Sequence, residues 1–241
     1  MITRKQQSRG TGEQNISPLH KNTRTPLSFQ SGFTIIESLM AIVVVGILMS
    51  AIAPVIVLSV SNRVQARRIE LATQAAQTYI DGITSGAIAA PNHTVLLNEI
   101  DSTTKQFSPQ RDTFASVDPP SSSGLTCTAN NLYCQNTLTS SLYCIDLDRE
   151  GCSGNSYKDL IVQAFRTNNA QNYILGLRVY RADAFSDRTA LKTQKQMGSK
   201  QATFTGGLGD RKAPLVEMTT EISNQKTRLR DFCDRLSGCS N

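Results

Sequence analysis

The chain has 241 residues and a formal charge of +6 at pH 7, and 39% of its residues are hydrophobic. That length allows one membrane helix and one globular domain of ordinary size. The first 32 residues carry a net charge of +4, which leaves only +2 for residues 33–241. The basic balance is therefore concentrated in one short segment and does not indicate a nucleic-acid-binding protein.

Residues 1–32 form the first segment, and they are predicted to be a targeting leader. They are rich in Gln, Ser, Thr, Arg and Lys, show no apolar periodicity and are expected to be disordered. An ordinary secretory signal has its apolar core inside the removed piece. Here the apolar run begins at Phe33, directly after Gly32, so it stays with the product of a cut at that point. The positive charge favours a cytoplasmic leader.

Residues 33–62 are predicted to form a transmembrane helix. About 20 apolar residues suffice to cross a bilayer as a helix, and lipid forces the backbone groups to pair within the segment. Pro54 predicts a kink or a loosened turn, because proline lacks the backbone donor. Glu37 is the only charged side chain between Phe33 and Arg63. A carboxylate in a span is costly unless it is compensated, so Glu37 is a candidate functional residue.

Residues 63–84 are predicted to continue this helix as an amphipathic stretch that packs on the protein's own sheet. Apolar residues recur there at steps of three and four along the chain: Ile69, Ala72, Ala76, Ile80 and Ile83. Gly82 and Gly86 mark the predicted end of the helix.

Residues 85–241 are predicted to form a globular domain of the α+β class. A loop-rich connection leads to residue 125, and residues 186–212 are expected to be a mobile loop. Strand-like runs cover residues 142–147, 160–166, 173–180 and 215–222, and residues 226–236 form a short charged helix. The predicted fold is thus one long amino-terminal helix packed on a small antiparallel β-sheet.

Six cysteines lie in this domain and form three close pairs in the sequence: Cys127 and Cys134, Cys144 and Cys152, Cys233 and Cys239. The sequence has no C-x-x-C pair and only two histidines, so zinc spacing is absent. We expect three local disulfides formed in an oxidising compartment, although other connectivities remain open. The alternative is six reduced, partly buried thiols.

The segment Gly32-Phe33-Thr34-Ile35-Ile36-Glu37, followed by the apolar span, resembles the amino terminus of type IV pilins and of type II secretion pseudopilins. The match covers about residues 31–60. Gly32 corresponds to the last leader residue, Phe33 to the first mature residue and Glu37 to the fifth, and Pro54 stands where the family commonly has a proline. The leader is longer than in many pilins.

This resemblance implies how the protein is processed and where it lies. A membrane prepilin peptidase would cut after Gly32 and methylate the new amino terminus at Phe33. Glu37 would pair with the Phe33 amine of a neighbouring subunit, which neutralises both charges in lipid; the alternative is that Glu37 pairs within its own chain. The product would be a single-pass inner-membrane protein with a periplasmic carboxyl-terminal domain, able to enter a pilus-like filament.

The partners implied are other pilin or pseudopilin subunits, the prepilin peptidase, an inner-membrane assembly platform and the lipid bilayer; no cofactor and no nucleic acid is expected. Residues 63–76 and 142–148 further resemble cyanobacterial pseudopilins of hormogonium polysaccharide secretion. That likeness implies export of an extracellular polysaccharide that supports gliding. Protein secretion and adhesion or DNA-uptake pili are the competing roles.

One other motif bears on chemistry. Asp146-Leu147-Asp148-Arg149-Glu150-Gly151 resembles the start of a calcium loop, but Tyr157 occupies the twelfth position, where an acidic residue is expected. A charged turn closed by Cys144 and Cys152 is the preferred interpretation, and no metal site is predicted. Because the sequence shows no nucleophile elbow or P-loop, we expect a structural subunit rather than an enzyme. The alternative is a membrane-anchored periplasmic binding protein or enzyme that does not enter a filament.

Overall fold

The computed structural model describes residues 32–97, 114, 116–128, 132–136, 142–169, 172–198, 209–223 and 226–235. Residues 1–31 of the predicted leader lie outside these ranges, and so does Cys239. The chain divides into two compact units, Met1–Met49 and Ser50–Asn241, and the second contains the sheet.

Helix α1 runs from Ile35 to Ser85, is 51 residues long and continues through Pro54. This confirms the prediction of a single long helix. Gly86 ends it in the left-handed conformation, with φ of 78°. The Gly86 N–H donates to the Ile83 carbonyl at 3.0 Å, and the Ile88 N–H donates to the Gly82 carbonyl at 2.9 Å. These bonds satisfy carbonyls that a helix end otherwise leaves unpaired.

A seven-stranded sheet follows, and all but one of its pairings are antiparallel. The strands are β1 (Thr94–Val95), β2 (Thr126–Cys127), β3 (Tyr133–Gln135), β4 (Leu142–Ile145), β5 (Leu160–Thr167), β6 (Asn172–Arg181) and β7 (Val216–Ser223). Their order is β2-β3-β4-β5-β6-β7, and β1 pairs in parallel with β5. The fold is therefore α+β, as predicted.

The core lies between the second half of α1 and one face of the central strands. Ala72 and Ala76 are fully buried on the helix, and they pack in one cluster with Val162 on β5 and with Leu175 and Leu177 on β6. Alanines let the helix approach the sheet closely, which buries apolar surface worth about 25 cal/mol per Å². The predicted stripe on α1 is confirmed, although Ile69 and Ile80 are only partly buried.

The strand predictions from residue 142 onward are confirmed to within two residues. β1, β2 and β3 were not predicted, because strands of two or three residues show no measurable alternation. The loop predicted at residues 186–212 is irregular at residues 186–193 and 209–212, and its mobility stays a prediction. Helix α2 (Gln194–Met197) forms there with a capping box between Thr193 and Gln196, and Leu191 and Thr193 are buried. Residues 199–208 lie outside the described ranges. Helix α3 (Leu229–Arg235) confirms the predicted charged helix.

Arg178, in the middle of β6, is fully buried and links the second face of the sheet to Phe114 and Val117. Its Nη2 donates to the Phe114 carbonyl at 2.8 Å, and its Nη1 donates to the Val117 carbonyl at 2.7 Å. Its Nε lies 3.1 Å from Glu217 Oε2 on the neighbouring strand. A buried charge is tolerated only with such partners.

Replacing Arg178 with Met should lower the free energy of unfolding by about 3–5 kcal/mol, because it leaves Glu217 without its partner in a largely buried site. Urea unfolding in detergent, followed by circular dichroism, measures this. The matched control is Arg67→Met, because Arg67 forms a pair with Glu70 at 2.7 Å whose side chains are 62% and 52% exposed. Exposed pairs contribute about 0–1 kcal/mol. Equal losses of unfolding free energy in the two variants would contradict the conclusion that Arg178 holds Phe114 and Val117 against the sheet.

Candidate processing and assembly site

The candidate processing site precedes α1 and consists of Gly32, Phe33 and Thr34, all of them exposed. A Cβ added to Gly32 would meet no atom within 4 Å, and its φ is not in the left-handed region. Nothing in the described fold therefore requires glycine at this position. Phe33 is 82% exposed, so no described residue covers the Gly32–Phe33 bond.

Thr34 caps the amino terminus of α1. The Glu37 N–H donates to the Thr34 hydroxyl at 3.3 Å, and the Ser38 N–H donates to the Thr34 carbonyl at 3.1 Å. The spacing Thr34-x-x-Glu37 is that of a capping box, a signal that the sequence analysis missed. The cap places Glu37 in the first helical turn, where the positive end of the helix dipole favours a carboxylate.

The Glu37 side chain is exposed. Among the residues that the structure describes, no hydrogen bond or ion pair to its carboxylate occurs. The alternative, pairing of Glu37 within its own chain, stays open, because the Phe33 nitrogen of the uncut chain is part of the peptide bond to Gly32 and not a free amine. The Glu37 carboxylate is available to a group from another molecule.

The apolar first half of α1 does not pack against any other described part of the chain. From Phe33 to Val60 the large hydrophobic side chains are exposed; Ile35 is 87% exposed. By length and composition, α1 is a candidate membrane span, and none of its most apolar stretch is buried. A Cβ at Gly46 would meet no atom within 4 Å. Such a surface is stable only in lipid or against other helices.

The structure joins two of the three predicted cysteine pairs. Cys127 on β2 is bonded to its cross-strand partner Cys134 on β3, with 4.2 Å between the Cα atoms. Cys144 on β4 is bonded to Cys152 in the following loop, with 6.3 Å between the Cα atoms. The pairing of Cys233, on α3, with Cys239 stays a prediction, because Cys239 is outside the described residues.

Removing the Cys144–Cys152 bond by the double replacement Cys144→Ser and Cys152→Ser should lower the free energy of unfolding by about 2–3 kcal/mol, because the bond restricts the unfolded chain. Urea unfolding with and without a reductant measures the loss. Non-reducing peptide mapping of the native protein checks the pairing. Free thiols at both positions in the native protein would contradict it.

The loop after β4 is shaped by Asp146. Its Oδ1 accepts the N–H groups of Asp148 at 3.1 Å and Arg149 at 2.6 Å, and its Oδ2 accepts that of Gly151 at 2.9 Å. Burial opposes ionisation here, but these backbone bonds outweigh it and lower the pKa of the Asp146 carboxyl. Asp159 closes the loop just before β5, and burial raises the pKa of its carboxyl.

Comparison with known protein families finds a match near the amino terminus of the chain. A family model described as the prokaryotic N-terminal methylation motif matches residues 27–53. No curated protein and no solved structure matches the chain. The matched residues include Gly32, Phe33 and Glu37 and stop one residue before Pro54. With this motif at the start of a long apolar helix, residues 27–53 carry the signature of type IV pilins and pseudopilins.

Proposed function

We propose that the protein is a minor pilin or pseudopilin, a structural subunit of a type IV pilus-like or type II secretion-like machine. The observation that carries this proposal is the methylation motif at residues 27–53, placed on a helix whose apolar surface is exposed along its first half. A pilin-type motif supports a structural subunit. A simple membrane anchor needs neither the glycine at the junction nor the carboxylate inside the span.

Processing follows from this proposal. A prepilin peptidase removes residues 1–32 in the cytoplasmic membrane and methylates the amine of Phe33. Residues 33–62 then anchor the chain in the bilayer, residues 63–84 carry the helix into the soluble domain, and residues 85–241 fold in the periplasm. The two disulfides support an oxidising compartment for that domain.

Assembly depends on Glu37. The amine of Phe33 and the carboxylate of Glu37 are both costly in lipid when they are unpaired. Pairing the amine of one subunit with the Glu37 of the next neutralises both and fixes the axial offset between the helices. The exposed carboxylate, without a partner in the described chain, supports this role. Gly46 and Pro54 are both exposed on α1. Gly46 allows close helix packing, and Pro54 removes one backbone donor and so loosens or kinks the helix.

For the machine and its cargo, we propose export of an extracellular polysaccharide that supports gliding. The sequence likeness of residues 63–76 and 142–148 supports this role over protein secretion and over adhesion or DNA-uptake pili. A deletion strain should lose secreted polysaccharide and gliding, while its secreted proteins and natural transformation stay unchanged. The source genome offers a first check, because glycosyltransferase genes beside this gene favour polysaccharide export.

The opposite pattern, with protein secretion lost and polysaccharide retained, would assign the protein to a type II secretion system instead. A deletion that changes none of these phenotypes would favour the alternative, an anchored periplasmic protein outside any filament. Cross-linking in intact membranes separates these outcomes, because only a filament subunit is captured with other pilins through its first helix.

A further inference from the structure

A cleft lies where the end of α1, the loop that follows it and strand β3 meet. It encloses about 300 Å³, at the lower end of small-molecule sites, which range from about 300 to 1,000 Å³. The residues that line it include Tyr79 of α1, Asn92 and His93 of the loop, and Tyr133 and Gln135 of β3. All of them belong to the second compact unit of the chain, so the cleft is a feature of one folded body.

The cleft lies at a gap in the pairing of β5. Strand β6 pairs with one edge of β5 along residues 160–166. On the other edge, β4 pairs with residues 160–162 and β1 pairs with residues 166–167. Among the described strands, residues 163–165 therefore have a partner on one side only. Ala164, in the middle of this gap, lines the cleft with a side chain too small to fill it.

Strand β5 also fixes the loop that forms one wall of the cleft. The Arg166 N–H donates to the His93 carbonyl at 3.0 Å, and Arg166 Nε donates to the Pro91 carbonyl at 2.9 Å. Both acceptors belong to residues that line the cleft. This wall is therefore in place before any ligand arrives, which lowers the cost of binding.

Two tyrosines that line the cleft are held by a third. The ring centroid of Tyr143 lies 5.1 Å from that of Tyr79 and 5.4 Å from that of Tyr133. Aromatic rings at such distances attract each other in tilted and edge-to-face arrangements. Gln135 follows Tyr133 by two residues and so lies on the same face of β3. The rings and this amide thus have fixed positions around the cleft.

Tyr79 gives the observation that indicates a ligand. It is only 3% exposed, and its hydroxyl has no hydrogen-bond partner among the residues that the structure describes. A buried tyrosine hydroxyl usually has a partner, and leaving the bond unmade is costly. Burial raises the pKa of this hydroxyl, so it keeps its proton. The cleft therefore contains a donor and acceptor that the protein does not use itself.

The polar side chains around the cleft are uncharged. Asn92 and Gln135 are exposed at its rim, and neither side-chain amide is hydrogen-bonded within the described part of the chain. The residues that line the cleft, all of them described, include no Asp, Glu, Lys or Arg. A phosphate or carboxylate group would thus find no charged partner there. Tyrosine rings combined with free amides suit a neutral ligand that is rich in hydroxyl groups.

We propose that this cleft binds one or two sugar units of a neutral polysaccharide. The C–H face of a sugar ring is apolar and stacks on the electron-rich face of a tyrosine ring. The sugar hydroxyls exchange hydrogen bonds with the Tyr79 hydroxyl and with the amides of Asn92 and Gln135. The identity of the natural ligand, the exported polysaccharide, rests on the proposed function. Sugar binding by the purified chain does not depend on assembly into a filament.

The test uses the full chain in micelles of a detergent that has no sugar headgroup, since a glycoside detergent would compete for the cleft. The probes are neutral trisaccharides of glucose, galactose or mannose, with trigalacturonic acid as the acidic comparison. The chain has six Tyr and no Trp, so tyrosine fluorescence reports contact with the rings, and calorimetric titration gives the stoichiometry. At least one neutral probe should bind once per chain with a Kd of about 1 mM or below, as expected for one well-contacted sugar unit. The acidic probe should bind more weakly, because the cleft offers it no cation.

Variants locate the site. Tyr79→Phe removes only the unpaired hydroxyl and Gln135→Ala removes only a rim amide, so each should weaken binding by about three- to tenfold, the effect of one hydrogen bond. Neither should lower the thermal unfolding midpoint, because the hydroxyl has no partner in the described fold and Gln135 is exposed. The matched controls are Tyr157→Phe and Gln77→Ala. Both residues are exposed and lie outside the cleft, so these variants should bind as the native chain does.

Three results would overturn the proposal. One is the absence of saturable binding by every neutral probe up to about 10 mM, tenfold above the weakest expected Kd. Another is binding that Tyr79→Phe and Gln135→Ala both leave unchanged, since the sugar would then lie elsewhere. The third is an acidic probe that binds as tightly as the neutral ones.

The deletion strain separates this proposal from the proposed function. Export lost in that strain, together with no binding of any neutral probe, would keep the export role and reject the sugar site. Export unchanged, together with binding that the two cleft variants weaken, would keep the sugar site and contradict the proposed cargo.

Discussion

Replacing Glu37 with Ala should leave membrane insertion and cleavage after Gly32 intact and should abolish assembly. The membrane-spanning helix and the Gly32–Phe33 junction should be unchanged, because the Glu37 side chain is exposed and the described fold does not depend on it. The Phe33 amine of a neighbouring subunit, however, loses its partner in lipid. An uncompensated buried charge costs about 3–5 kcal/mol. That corresponds to about a hundredfold or more in an association constant, at about 1.4 kcal/mol per tenfold.

The measurement compares processing by gel mobility, capture of other pilins after cross-linking, and polysaccharide export. Two controls bracket the variant. Glu37→Asp keeps the charge and should retain part of the assembly, whereas Glu70→Ala removes an exposed carboxylate from the same helix and should behave as the native chain does. If Glu37→Ala is cut normally and matches the native protein in all three assays, the filament account is wrong. An anchored periplasmic domain then becomes the better account.

Replacing Gly32 with Val should leave the precursor uncut in the inner membrane. The branched side chain occupies space that the peptidase needs beside the scissile bond. The fold should be unaffected, because a Cβ at this position meets no atom within 4 Å. On a gel the variant should therefore migrate as the precursor, with its 32 leader residues still attached.

Gly46→Ala is the matched control, because this glycine also has no neighbouring atom within 4 Å but lies well inside the helix. It should be cut at the native rate. Normal cleavage of Gly32→Val would show that the junction lies elsewhere. Loss of cleavage in both variants would indicate a general defect of the helix instead.

The parts of the fold that the sequence predicts are those in which apolar residues recur at a regular spacing. The apolar run and the stripe of Ala72, Ala76 and Ile83 lead directly to α1, and the apolar runs after residue 142 lead to the longer strands. The boundary of α1 was equally open to prediction, because Thr34 and Glu37 have capping-box spacing.

Other features depend on contacts that no local pattern contains. Arg178 interrupts an apolar strand. Its burial depends on hydrogen bonds to the carbonyls of Phe114 and Val117, which are distant in the sequence. Gly176 lies across from Phe165 on the neighbouring strand, and a Cβ there would overlap the ring. Asp159 joins Asp146 only through the return of the chain into β5. For the amino-terminal site the limit is different, since the proposed partner of Glu37, the Phe33 amine of a neighbouring subunit, forms only after cleavage and lies in another molecule.

The amino terminus of the protein isolated from membranes tests the central claim most directly. Mass spectrometry of its first peptide should show a chain that begins at Phe33 and carries one methyl group on the amine. That result requires both activities of a prepilin peptidase and places Glu37 five residues into the mature chain. A chain that still begins at Met1, or one that begins beyond Leu58 and has lost the apolar helix, would contradict the account.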